Sequence, residues 1–180
     1  MKKEIRFALF AVLLVFLAGG TGCGIKQKTP EEVVTSLIES YAAGKEKKVK
    51  QCYPNGAGDE ESLQKEITAT LAYFESGKAK EVKVQECAPL EETEDYTYVY
   101  VTYYFVLEDG QEYPCVDTYM VRKDGKKYYI IPPSEITTEM SDAAAAAYAE
   151  FMTTDTYKTY TKEHEAFLAK NPSYESTLGQ

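Results

Sequence analysis

The chain opens on a positively charged start and a short apolar block. Lys2, Lys3 and Arg6 precede Phe7 to Ala18, which are uncharged and mostly large, and Gly19, Gly20, Thr21 and Gly22 lead to Cys23. A block of this length is too short to cross a bilayer core of roughly 30 Å as a helix, which takes about 20 residues. Its layout is that of a cleaved signal peptide. Thr29-Pro30-Glu31-Glu32 then predicts a helix start, with Thr29 as N-cap, Pro30 at the first helical position and Glu32 closing a capping box. Val33, Val34, Leu37, Ile38 and Tyr41 follow at spacings of three and four, and Gly44 ends the stripe. A second short helix is predicted over Lys45 to Tyr53, before Pro54-Asn55-Gly56. A third starts at Asp59-Glu60-Glu61, carries Leu63, Ile67, Leu71 and Phe74 on one stripe and closes at Gly77.

From Lys80 to Pro133 the period changes to two: Val82 and Val84 alternate with polar residues, and Tyr96 to Leu107, Val116 to Arg122 and Lys127 to Ile131 read as strands. Asp109-Gly110 and Asp124-Gly125 predict two-residue hairpin loops. Such loops set Tyr104 opposite Cys115, Thr102 opposite Asp117, Tyr100 opposite Tyr119 and Val121 opposite Tyr128. One face, with Val99, Val101, Tyr103, Phe105, Val116, Met120 and Tyr129, is then expected against the helices. The other carries Tyr98, Tyr100, Tyr104, Asp117, Tyr119 and Tyr128, a candidate ligand or partner surface. It is too aromatic for an ordinary solvated face, so either the tail covers it or a partner uses it. The tail predicts two more helices, Glu139 to Met152 with its run Ala143 to Ala147, and about Asp155 to Lys170, stopped by Asn171-Pro172. Three helices, four antiparallel strands and two helices define an α+β chain.

With 180 residues, of which 44% are apolar, the chain can fill a real core. Its net charge of -9 argues against nucleic acid, whose phosphates need clustered Lys and Arg. Loss of residues 1–22, which carry three positive side chains and one negative, deepens that charge to -11. After Cys23, the remaining Cys52, Cys87 and Cys115 allow at most one internal disulfide, and their spacing fits no zinc site. No metal or cofactor is expected. Nucleophile-elbow, zincin, phosphate-loop and Cys-x-x-Cys signatures are absent, and a catalytic dyad or triad would have to use the single histidine, His164. Asp117 is the one mid-strand carboxylate. It is expected either to bond Thr102 or a tyrosine as a structural residue, or to work as an acid with a tyrosine in a cleft.

Leu17-Ala18-Gly19-Gly20-Thr21-Gly22-Cys23 resembles a bacterial lipoprotein signal. The resemblance implies cleavage before Cys23, lipidation of its thiol, and a protein held on the extracytoplasmic face of a membrane. The element order after it, opening Thr-Pro-Glu-Glu, resembles the nuclear transport factor two-like (cystatin-like) superfamily, in which helices lie in the concavity of a curved sheet. Four segments are therefore expected: a signal over 1–22, lipidated cysteine and tether over 23–28, the cystatin-like domain over 29–133, and a helical extension over 134–180. No catalytic residue carries over. The expected function is a noncatalytic module that binds a protein partner, an envelope polymer or a small ligand; the alternative is a small isomerase, dehydratase or hydrolase on the same fold.

Overall fold

The computed structural model describes residues 24–57 and 60–179; Cys23 and the signal lie outside them. Three helices, α1 (Pro30–Ala42), α2 (Glu46–Gln51) and α3 (Glu61–Ser76), precede a sheet of β1 (Glu81–Glu92), β2 (Thr97–Val106), β3 (Glu112–Asp124) and β4 (Lys127–Ile130). Helices α4 (Thr138–Phe151) and α5 (Asp155–Lys170) follow. The sheet is antiparallel in the order β1-β2-β3-β4. The architecture is α+β.

Local chemistry sets the helix ends. The Thr29 side chain accepts from the Glu32 amide, but the Glu32 carboxylate reaches one residue further back than a standard box and accepts from the Lys28 amide at 2.8 Å. Thr137 and Thr154 cap α4 and α5 in the same way. Register shifts in β1 at Val84/Glu86 and Pro89/Glu91 bend the outer strand, as bulges do.

The hairpins overturn the predicted register. Leu107 donates to the Gln111 carbonyl and Gly110 to that of Leu107, so the β2–β3 loop holds three residues, with Gly110 at φ 82. This is a type I turn closed by a left-handed glycine, one residue longer than a type I′ loop. Tyr103 therefore faces Cys115, Val101 faces Asp117 and Val99 faces Tyr119. The β3–β4 loop has two residues, but they are Gly125-Lys126, so Val121 lies opposite Ile130 instead of Tyr128. A slip of one residue exchanges faces, whereas a slip of two does not. Cys115, Asp117, Tyr119 and Val121 thus join Val99, Val101, Tyr103 and Phe105 on the helix side, and Val116, Thr118 and Met120 move to the outside.

Two cores result. In the concavity, Val33, Leu37 and Ile38 of α1 and Leu63, Ile67 and Phe74 of α3 pack on Val99, Val101, Tyr103 and Phe105. Outside, Tyr98, Met120 and Ile131 are sealed by Ala144 of α4, and the ring of Tyr100 lies 4.4 Å from that of Phe151. The small side chains of the alanine run permit this close approach. Helix α5 runs beside β3, sending Phe167 to the concave core and Glu163 to the Tyr104 hydroxyl on the outer side.

The predicted tether is bound to the domain. Gln27 is buried, its side-chain amide donates to the Gln51 and Tyr128 carbonyls, and its own carbonyl accepts from Tyr128. With the Cys52 carbonyl, which accepts from Ile130, it covers the free edge of β4.

Candidate functional site

The concave side holds a cavity of about 490 Å³. Helix α3 supplies Ala69, Thr70, Tyr73 and Phe74, strand β2 supplies Tyr103, strand β3 supplies Tyr113 to Asp117 and Tyr119, and α5 closes it with Tyr160. It exists because β4 pairs only with Val121 to Asp124, leaving the first half of β3 without a strand neighbour on that side. Pro114 fits such an edge. Counting from the bonded Leu107–Gln111 pair, the Tyr104–Pro114 pair exchanges no ladder bonds, so the proline nitrogen points away from β2.

Asp117 lines this cavity. Its Oδ2 accepts from the buried Tyr103 hydroxyl at 2.8 Å. Burial raises its pKa, and the Tyr103 bond partly opposes the shift; no basic side chain contributes. Among the described residues Oδ1 has no donor, and no side-chain N or O atom there is both sealed and unpartnered, so Oδ1 faces the cavity space. The Tyr119 hydroxyl is likewise unbonded among these residues. Its pKa is pushed well up by burial, then by the charges of Asp117 and others including Glu66. Glu66 lies four and seven residues before Thr70 and Tyr73, on the same side of α3, and burial raises its pKa too. The lining contains no Lys, Arg or His. The wall is thus aromatic and hydroxylated, with one carboxylate in it.

The six residues expected to share one surface are divided by the sheet. Asp117, Tyr119 and Tyr128 lie on the concave side, where Tyr128 packs at the rim of the core. Tyr98 and Tyr100 are buried on the outer side, and the Tyr98 hydroxyl donates to Thr118. Tyr104 is half-buried beside Glu163. The expected continuous tyrosine surface therefore does not form, because the three-residue loop turned β3 over. Of the two expected partners for Asp117, Thr102 or a tyrosine, it is a tyrosine, Tyr103, that bonds it. Tyr73, Tyr113 and Tyr160 were not anticipated as site residues; the i, i+4, i+7 row of Glu66, Thr70 and Tyr73 beside the apolar stripe of α3 was the available signal.

The other candidates are occupied structurally. Cys52, Cys87 and Cys115 are free thiols, and burial pushes those of Cys52 and Cys87 up to about 12 and that of Cys115 higher. They are poor nucleophiles. His164 joins Tyr113 and Glu175, its Nε2 lying 2.9 Å from the glutamate. No metal-binding cluster and no membrane-spanning helix occurs among the described residues. A second hollow of about 390 Å³, between α4 and the outer face, is lined by Tyr98, Met120, Ile136 and Tyr148 among others and has no charged side chain.

The fold and the cavity define an α+β domain with helices in the concavity of a curved antiparallel sheet. No family model and no curated protein matches the chain. Among solved structures it is similar to a Campylobacter jejuni protein provisionally assigned as an NTF2-like transpeptidase, with 12% identity and a TM-score of 0.41, covering 58% of this chain and 98% of that one. It is also similar to a SEC-C motif containing protein from Rhodopseudomonas palustris, with 17% identity and a TM-score of 0.42, covering 58% and 77%. Neither likeness bears on activity.

Proposed function

We propose that this chain is a lipid-anchored extracytoplasmic binding module that holds a small ligand in the concave cavity. The carrying observation is the juxtaposition, in one cavity, of Asp117 Oδ1 and the Tyr119 hydroxyl, two polar groups with no protein partner. Both groups face the open cavity, so a ligand entering it can reach them and bond them. Tyr98 and Tyr100 are covered by α4, which speaks against the outer tyrosines as one docking face. The anchor rests on the sequence around Cys23. Native mass spectrometry of the protein purified from bacterial envelopes tests the ligand: a retained small-molecule adduct, lost on Tyr119→Phe with Asp117→Asn, is expected. An adduct unchanged in that double variant would place the ligand elsewhere. Cys23→Ser should release the protein from the membrane; fractionation that leaves a processed variant membrane-bound would remove the lipid anchor.

A second reading has a specific observation in its favour. The enzyme alternative is favoured by the position of Asp117, which lines the cavity and whose pKa is raised by burial. Asp117 would then take a proton while tyrosine hydroxyls hold the resulting oxyanion. Under this reading Asp117→Asn abolishes turnover and leaves ligand retention intact, which separates it from pure binding.

A further inference from the structure

Resting on the reading of the cavity as a ligand site, we propose that its ligand is a small primary ammonium cation with an alkyl arm. The charge balance points there first. Asp117 is the only charged residue in the lining, and no basic side chain neutralises it. Glu66, close enough to act on Tyr119, adds a second negative group at the side of α3. An anionic ligand would meet the Asp117 carboxylate, with Glu66 behind the wall and no cation to offset either, whereas a cation supplies the missing counter-charge.

The walls make the cation organic. Rings of Tyr73, Phe74, Tyr103, Tyr113, Tyr119 and Tyr160 surround the space. Aromatic faces attract an organic cation and bury its apolar arm, and a hydrated inorganic ion gains less from them. Acceptor chemistry then selects the primary amine. Asp117 Oδ1 is unbonded and can only accept, and the Tyr119 hydroxyl, also unbonded, has an oxygen that can accept beside it. An ammonium group has three N–H donors, while a quaternary ammonium has none and would leave Oδ1 unpaired. The acidic body, at -11 without its signal, draws cations toward the site from solution.

The test titrates the intact chain with pentylammonium chloride, 1-pentanol and sodium pentanoate. Binding is followed by saturation-transfer NMR and tyrosine fluorescence, which no tryptophan masks. About 0.3 M sodium chloride shortens the Debye length to under about 6 Å and suppresses attraction to the general acidic surface. Pentylammonium is expected to bind about tenfold or more tighter than 1-pentanol, in line with a hydrogen-bonded charge pair, and pentanoate more weakly than either. Asp117→Asn should bring the ammonium down to the alcohol. Equal affinities for ammonium and alcohol in the unmodified chain would overturn the cation assignment while leaving the cavity as a ligand site, and this comparison needs no variant. Calcium chloride binding with no response to pentylammonium would overturn it in favour of a metal. Silence toward every probe would remove the ligand site itself.

Discussion

A carboxylate in the middle of a strand is disfavoured, and Asp117 is retained in one with a single hydrogen bond and no counter-ion. Burial lifts its pKa above that of the unfolded chain, so the native state holds the proton more tightly. The contribution of this group to stability is therefore greatest below the unfolded value of ~3.9 and is lost as pH rises through the folded pKa. At neutral pH the charge is a net cost. Asp117→Asn removes the charge and keeps an acceptor for Tyr103, so it should stabilise the protein by about 0.5–2 kcal/mol at pH 7, the range seen when functional sites are relaxed. The gain should vanish toward pH ~4, where both side chains are neutral. Thermal unfolding across pH checks this; a variant less stable than the parent at pH 7 would show that the carboxylate is held by contacts beyond Tyr103. Asp117 was legible in the sequence as an exception to strand composition. A tyrosine partner was among the alternatives, but that it is Tyr103 and not Thr102 depends on a loop one residue longer than the Asp-Gly signal implied.

Elements were legible where period and punctuation agree. Helix α5 spans the expected residues and ends before its Asn-Pro stop, and α1 has the expected apolar face. Strand β1 was only half visible, since Pro89 and two bulges interrupt its alternation across Glu81–Glu92. The hairpin failed for a physical reason: Asp-Gly serves both a two-residue loop and a three-residue loop with left-handed glycine, and only the ladder chooses. A tighter constraint lies where α3 meets β2. A methyl group added at Gly77 would stand 2.6 Å from a carbon of the Phe105 ring, and that ring is buried among Tyr73, Phe74, Tyr103 and Tyr113. The ring is fully buried, so it can shift only by displacing those neighbours. Gly77→Ala should cost about 1–3 kcal/mol by overpacking, although its backbone suits any residue. Urea denaturation measures it; an unchanged midpoint would mean that the C-terminal end of α3 can lift away from the sheet without loss.

Across the whole molecule, the tail stands as part of the fold. The division into a domain over 29–133 and an extension over 134–180 follows the break in sequence pattern at Pro132-Pro133. Packing crosses that break on both sides of the sheet. Helix α4 seals Tyr98, Met120 and Ile131, and the Phe151 ring covers Tyr100. Helix α5 places Phe167 against Tyr113 and lends Tyr160 to the cavity wall. At the other end, Gln27 fixes the chain four residues after Cys23, so a lipid there would hold the domain within about 14 Å of its attachment. Burial of each large side chain contributes roughly 1.5–3 kcal/mol, and uncovering several approaches the whole stability of an ordinary domain, about 5–15 kcal/mol. A chain ending at Pro133 is therefore expected to lose cooperative unfolding, to bind a hydrophobic dye and to aggregate through its uncovered outer face. Calorimetry and dye fluorescence decide the outcome. Cooperative unfolding of the truncated chain near the parent midpoint would make the tail a separable appendage, and Tyr160 could then be removed from the cavity without disturbing the sheet.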